Sequence, residues 1–217
     1  MDTKIYNKQM RIFTKKMKEL GFQKWKSTFF VRRTEYDVVE EIHIQRFSDG
    51  KEVTGNYHFS LLYQPYYAGH FTSFRRFGNL VYGRDYWWPL ETEEDCEKAF
   101  DDFYHIVKER IIPEFKNSQH PKKIIEMSYG DNICYQQYIK VLINLYYENY
   151  KEAKEAYTEM IKNFESLNSG MPEYVIDGNK KRLNELSTID FSNPEECKRF
   201  IESNMETNIE KMKYPFK

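Results

Sequence analysis

The chain has 217 residues, 17% of them aromatic, and its 33 Lys and Arg nearly balance its 34 Asp and Glu, for a formal net charge of -1. So many large rings can build a core and exclude a disordered chain, and the balanced charge argues against a nucleic-acid partner. No apolar stretch approaches the roughly 20 residues that cross a bilayer, so we expect no membrane partner.

The three cysteines are Cys96, Cys134 and Cys197, which are widely spaced and form no CxxC pair. An odd number of cysteines cannot all pair in disulfides, which argues against a disulfide framework. The simplest interpretation is a set of reduced thiols in a cytoplasmic protein. The N-terminal residues include lysines but no following apolar segment, so we expect no secretory signal.

Residues 4–20 predict an amphipathic helix, because apolar side chains recur there at helical spacing and Gly21 follows as a C-cap glycine. The other face of this helix is basic and carries Lys4, Lys8, Arg11, Lys15 and Lys18. Such a face can bind nucleic acid or a membrane surface. The alternative, which the neutral charge of the whole chain favours, is a solvated face on a helix that packs on a core.

Residues 22–63 predict several strands joined by short turns, and short connections favour antiparallel hairpins. Residues 36–47 alternate between the two faces of the predicted sheet. The apolar face holds Val38, Ile42 and Ile44, and the polar face holds Glu41, His43 and Gln45. We therefore expect helices to cover the apolar face and solvent to reach the polar face.

The stretch 64–90 is crowded with aromatic residues and interrupted by Gly and Pro. It predicts a long loop with short strands near 80–82 and 86–88. Either these rings complete the core, or the loop is a binding surface, as long loops in compact domains often are. The candidate binding residues of this stretch are Tyr66, Tyr67, Arg75, Arg76 and Trp87. The two arginines could pair with phosphates or with a partner's carboxylates, or they could be paired locally.

Residues 93–116 predict the clearest helix, with Thr92 as its cap, Asp95 at the capping-box position and Pro113 at its end. Helical patterns then follow over 132–148, 150–164, 173–185 and from Pro194 toward Met212. The predicted fold is α+β, an antiparallel sheet covered by helices, followed by an all-helical C-terminal extension.

We predict two domains, an α+β domain over 1–120 and a helical extension over 121–217 that packs on it. The reason for the packing is size, because the extension has few apolar stripes with which to close a core alone. Within the first domain, helices must bury one face of the sheet. We therefore expect a core that contains Phe13, Met17, Val38, Ile42, Phe59, Leu61, Phe103 and Val107.

Several short motifs follow one another over roughly residues 5–116. They are Leu20-Gly21-Phe22, Trp25-Lys26-Ser27-Thr28-Phe29-Phe30, Ile44-Gln45-Arg46, Phe59-Ser60-Leu61 and Trp87-Trp88-Pro89-Leu90. In this order they resemble the uncharacterised bacterial family called domain of unknown function 4304. The family usually has Asn where Ser60 stands here. The resemblance implies a small α+β domain and no established activity.

His43 and His58 lie on consecutive predicted strands and could meet across a hairpin, with Glu41 and Gln45 on the same face. One interpretation is a general base or a pair of metal ligands. The other is a pair of solvent-facing strand residues, since no third ligand, HExxH motif or zinc-spaced Cys cluster accompanies them. We therefore predict no catalytic residue, no metal and no cofactor.

The sequence favours a non-enzymatic cytoplasmic protein that binds another protein. Its binding candidates are Tyr66, Tyr67, Arg75, Arg76 and Trp87, together with His43 and His58. The alternative is a hydrolase or a nucleic-acid-processing enzyme that uses the polar face around the two histidines.

Overall fold

The computed structural model describes residues 3–65, 73–118, 123–125, 132–167 and 171–216. These residues fall into two compact units. The sheet unit holds the described residues of Met1–Leu61, Phe71–His120 and Met212–Lys217, and the helical unit holds those of Leu62–His70 and Pro121–Lys211. The fold class is α+β, as predicted, with an antiparallel sheet and an all-helical C-terminal region. The packing of a 121–217 extension on a 1–120 domain stays a prediction.

The sheet unit is built on antiparallel strands. Its elements are α1 (Thr3–Glu19), β1 (Gln23–Lys26), β2 (Phe29–Arg33), β3 (Val38–Arg46), β4 (Glu52–Leu61), β5 (Ser73–Arg76), α2 (Phe77–Tyr82), β6 (Trp88–Pro89), α3 (Glu93–Ile106), a π-helical turn (Val107–Ile111) and α4 (Ile112–Ser118). The strand order is β1-β2-β3-β4-β5, and β6 also pairs with β4. Both β5 and β6 therefore lie along the same side of β4, the sheet edge opposite β1.

The register of β3 on β4 decides which side chains share a face. Ile42 lies opposite Tyr57 and Glu41 lies opposite His58. Opposed residues of an antiparallel pair project to the same side, so the apolar members form one face and the polar members form the other. The helices cover the apolar face. There the ring of Phe13 from α1 meets that of Phe30 from β2 edge to face, at 5.4 Å between centroids.

The core of the sheet unit contains every side chain predicted for it. These residues are all buried: Phe13, Met17, Val38, Ile42, Phe59, Leu61, Phe103 and Val107. Phe103 is central to this core, because its ring contacts that of Trp88 at 4.9 Å and that of Phe77 at 5.4 Å. Phe77 packs against the backbone of β4 at Gly55, where an added Cβ would lie 2.4 Å from the ring. Glycine is therefore required at this position.

Two local predictions for the sheet unit are wrong. Residues 80–82 belong to α2 rather than to a strand, because Gly83 adopts φ +68° and its N–H bonds the carbonyl of Asn79 to close a short helix. Pro113 does not end the long helix, which continues as α4. The π-helical turn precedes this proline, and its altered hydrogen bonding accommodates a residue that lacks an N–H.

The helical unit confirms the predicted helices to within a few residues. They are α5 (Ile133–Tyr146), α6 (Tyr150–Leu167), α7 (Glu173–Leu186) and α8 (Pro194–Met212). Asn132 caps α5 by accepting a hydrogen bond from the N–H of Tyr135 at 3.0 Å. Buried Asn208 of α8 donates to the carbonyls of Leu62 and Gln64, at 2.6 Å each. Within the described ranges, none of the helices combines the length and apolar character needed to cross a membrane.

Replacing Phe103 with Ala should lower the free energy of unfolding by about 3–5 kcal/mol, because the change empties a site that the core closes on every side. Urea denaturation followed by circular dichroism measures the loss. Tyr174→Ala is the matched control, since Tyr174 is 78% exposed and its truncation should cost no more than about 0.5 kcal/mol. Equal costs for the two variants would contradict the packing described here.

Candidate functional site

The polar side chains of two central strands converge on one side of the sheet. We call this side the polar face and define it by Glu41, His43 and Gln45 of β3 and Asn56, His58 and Ser60 of β4. Glu41 lies opposite His58, and His43 lies opposite Asn56. The structure thus brings the two predicted histidines onto one face, as diagonal neighbours with a carboxylate beside them.

The prediction that solvent reaches this face is wrong for its central residues. Glu41 and His58 are each 1% exposed and Asn56 is 0% exposed, whereas His43 is partly exposed. Buried polar groups of this kind cost free energy unless other polar groups contact them. The segment that follows α8 supplies such contacts, and the sequence pattern had not assigned it to this face.

Buried Glu41 has two donors at one carboxylate oxygen and the imidazole of His58 near the other, which makes no hydrogen bond within the described part of the chain. Its Oε2 lies 3.0 Å from Nε2 of His58. Its Oε1 accepts hydrogen bonds from Oγ of Ser60 at 3.3 Å and from Oη of Tyr214 at 3.1 Å. A carboxylate beside an imidazole can orient the ring for acid–base chemistry. The same arrangement also compensates the desolvation of a buried carboxylate, so the pair is consistent with either role.

The C-terminal segment, residues 212–216, lies against β1 and the polar face. Nε1 of Trp25 donates to the carbonyl of Met212 at 2.7 Å, and the rings of Trp25 and Tyr214 are 4.8 Å apart. The ring of Phe216 stacks on Tyr214 at 4.9 Å. The signal for this contact was present in the sequence, because two aromatic residues stand beyond the end of the last predicted helix.

His43 is held in its neutral form. Its ring stacks on that of Phe29 at 3.9 Å with an interplanar angle of 5°. The pKa of His43 is lowered from 6.5 to about 4, chiefly by burial and to a smaller extent by its neighbour His58, while Glu41 acts in the opposite direction. An imidazole with so low a pKa can accept a proton only weakly, which makes His43 a poor general base near neutral pH.

The predicted arginine pair divides between the two faces of the sheet. In β5, Arg75 lies opposite Tyr57 and Arg76 lies opposite Asn56. Nη1 of Arg75 contacts Oε1 of Glu114 at 2.9 Å, whereas Arg76 forms an ion pair with Asp85 and lies over the ring of Trp87 at 5.5 Å. Both guanidinium groups therefore have local carboxylate partners. Local pairing was one of the two alternatives for these arginines, the other being contact with a phosphate or with a partner's carboxylate. Tyr66 and Tyr67 lie outside the described residues.

The stretch 64–90 contributes both to the core and to the surface. Phe77, Trp88 and Leu90 are buried. The neighbouring side chains are partly exposed in two groups, Phe47 with Trp87 and Val81 with Tyr82 and Tyr86. We call the two groups together the aromatic edge. Trp87 meets Phe47 at 5.3 Å and Tyr86 meets Tyr82 at 4.7 Å. Strand alternation explains the division, since Trp88 faces the core and its neighbour Trp87 faces the opposite side.

The basic helix α1 lies beside α3, which carries acidic side chains. Nζ of Lys8 is 3.2 Å from a carboxylate oxygen of Glu93, and Nζ of Lys16 is 2.9 Å from one of Asp101. A groove of about 500 Å³ between α1 and α3 carries both charges. A mixed surface does not concentrate the positive potential that phosphate backbones require.

Among the residues that the structure describes, no three His, Cys, Asp or Glu side chains are grouped closely enough to hold a metal ion. No family model, curated protein or solved structure matches the chain. The resemblance to domain of unknown function 4304 therefore stays a prediction, and functional inference depends on the geometry of the chain itself.

Because of His43, the sheet unit should become less stable as the pH is lowered. The folded state disfavours the protonated ring, whose pKa drops from 6.5 to about 4, so the unfolded state binds more protons between these values. The free energy of unfolding therefore decreases as the pH falls from 6.5 toward 4. His43→Gln, which cannot titrate, should lose about 1–3 kcal/mol less than the wild type over this interval.

Urea denaturation at pH 7, 5.5 and 4.5 measures this difference. The control is Ile12→Ala, because Ile12 is exposed on α1 and carries no titratable group, so this change should leave the pH dependence of the wild type in place. Parallel pH profiles for His43→Gln and the wild type would show that the folded state does not disfavour the His43 imidazolium.

Proposed function

We propose that the sheet unit is a protein-binding module and that the aromatic edge is its contact surface. The observation that carries this proposal is the exposure of large apolar side chains at one edge of the sheet, where Phe47 is 45%, Val81 43% and Tyr82 50% exposed. Exposed apolar side chains grouped at one edge of a folded protein frequently mark a contact with another macromolecule.

The composition of the aromatic edge supports a protein partner. Trp, Tyr and Arg are the residues that contribute most to binding energy at protein interfaces. Arg76 contacts both Asp85 and the ring of Trp87, and these contacts restrict the conformations open to its guanidinium and to this ring. Ordered side chains lose little conformational entropy when a partner binds, and this lowers the cost of association.

The backbone on either side of Trp87 in the aromatic edge is held by contacts with the sheet unit. Trp88 lies in the core against Phe103, and the pairing of β6 with β4 holds the intervening backbone. The carbonyl of Tyr86 further accepts a hydrogen bond from Oγ1 of Thr54 at 3.1 Å. Because both neighbours of Trp87 are anchored, this side chain is presented from a rigid segment.

The experiment is affinity capture from the native host with the full chain as bait, identification by mass spectrometry and measurement of the dissociation constant with the purified partner. The double variant Tyr82→Ser/Trp87→Ala should bind at least about 30-fold more weakly than the wild type, as expected for the loss of a central aromatic contact. Circular dichroism should show unchanged folding, since both side chains are partly exposed.

Tyr174→Ser is the matched control, because it also removes an exposed aromatic side chain but from α7. It should bind the partner as the wild type does. A partner whose affinity is equal for the wild type and the double variant would overturn the assignment of this surface.

The geometry also favours a second candidate function, an enzyme that uses the polar face. The observation in its favour is the distance of 3.0 Å between Nε2 of His58 and Oε2 of Glu41. The burial of both residues opposes it, because a substrate reaches neither side chain until Tyr214 moves away from Glu41.

Assays with p-nitrophenyl acetate, p-nitrophenyl phosphate and an RNA oligonucleotide separate the two functions. If the polar face is an active site, Tyr214→Ala should raise turnover of one substrate at least about tenfold by opening access, and His58→Ala in that background should abolish the gain. We expect no turnover from either variant if the sheet unit only binds protein. Activity that survives His58→Ala would come from another site or from a contaminant.

A further inference from the structure

Arg182 is a buried cation in the helical unit. It lies on α7, is 8% exposed, and its guanidinium carbon is 4.6 Å from the ring centroid of Tyr135 and 5.7 Å from that of Tyr138. Aromatic faces attract a cation and stabilise it partly. They carry no net charge, however, so the rings leave the positive charge of Arg182 without a counterion.

No carboxylate in the described part of the chain lies within ion-pair distance of Arg182. Its Nη1 donates to Oδ1 of Asn179 at 3.1 Å, while its buried Nε and the buried Nδ2 of Asn179 have no hydrogen-bond partner among the described residues. Glu185 is only three residues away, but it accepts a hydrogen bond from Tyr138, and burial raises the pKa of its carboxyl to about 7. A buried charge with unpaired donors is a large cost for a folded protein.

Other arginines of this chain use the same edge of the guanidinium to bind a carboxylate. Arg32 contacts Glu40 through Nε at 2.6 Å and Nη2 at 2.5 Å. Arg33 contacts Asp37 through the same two nitrogens, each at 2.6 Å. In both pairs the two nitrogens converge on a single carboxylate oxygen, so this edge offers two donors to one oxyanion. In Arg182 the Nε of this edge is without an acceptor.

Gly178 keeps room for the guanidinium on α7. A Cβ added at this position would lie 3.2 Å from Nη1 of Arg182. Glycine inside a helix costs about 1 kcal/mol relative to alanine. A shift of the flexible guanidinium by a few tenths of an ångström would accommodate that Cβ, so the glycine eases the approach of Arg182 to the helix without being required for it.

We propose that Arg182 and Asn179 form a binding site for a small oxyanion, a carboxylate or a phosphate group, in which Nε of Arg182 and Nδ2 of Asn179 are donors. The oxyanion neutralises the guanidinium and satisfies both buried donors. Because these atoms are closed off from solvent in the free chain, binding requires side-chain movement around α7. This site lies in the helical unit and is independent of the aromatic edge.

The test is thermal denaturation of the full chain in phosphate, in acetate and in chloride at equal ionic strength and pH 7. The wild type should melt about 3 °C or more higher in 50 mM phosphate or acetate than in chloride. Arg182→Met should abolish this rise and should melt in chloride no lower than the wild type, because it removes a buried charge while keeping an apolar stem. A rise in one anion alone identifies which oxyanion the site selects.

Arg75→Met is the matched control, since Arg75 is an arginine with a carboxylate partner, and it should keep the full anion-dependent rise. Arg182→Lys keeps the charge but lacks the two-nitrogen edge, so its rise should be reduced. A direct measurement on the wild type is the NMR signal of Arg182 Nε–H, identified by its absence from Arg182→Lys, which should shift on titration with phosphate or acetate. Equal melting temperatures in all three salts, or an unchanged rise in Arg182→Met, would overturn the proposal.

Discussion

The pairing of β3 with β4 is the constraint on which the sheet unit depends. Its register places Ile42 opposite Tyr57 and, one step along, Glu41 opposite His58. A shift of one residue would exchange the two faces and put carboxylates and imidazoles beneath the helices. The burial of Phe103 and Phe13 against the apolar face makes such a shift too costly. The same register therefore builds the core on one side and the polar face on the other.

Buried charged side chains have different neighbours in the two units. In the sheet unit, buried Glu40 meets Arg32, and buried Glu41 meets His58, Ser60 and Tyr214. Each carboxylate thus recovers in contacts much of what it loses in hydration. In the helical unit, Arg182 has two tyrosine rings and one amide oxygen around it. Among the described residues, Glu40 and Glu41 thus have a basic side chain within 3.0 Å, whereas Arg182 has no acidic side chain at ion-pair distance.

The aromatic residues, which are 17% of the chain, serve two purposes that composition alone does not separate. Rings that alternate into the core, such as Trp88, hold the sheet and its helices together. Rings on the adjacent positions, such as Trp87, remain at the surface beside Arg76. In the proposed function, the buried rings of Trp88 and Phe103 beneath the aromatic edge support the exposed rings that would contact a partner.

Periodicity in the sequence determined the elements and the faces of this protein. The α+β class, the helices over 132–212 and the two faces of β3 all follow from local spacing, because amphipathic repeats reflect which side of an element is buried. Only the tertiary structure decided that Tyr214 reaches Glu41, that Pro113 follows a π-helical turn and that Arg182 is buried beside Asn179 and two tyrosine rings. These features depend on contacts between residues distant in sequence or on the exact course of the backbone, and local spacing contains no information about either.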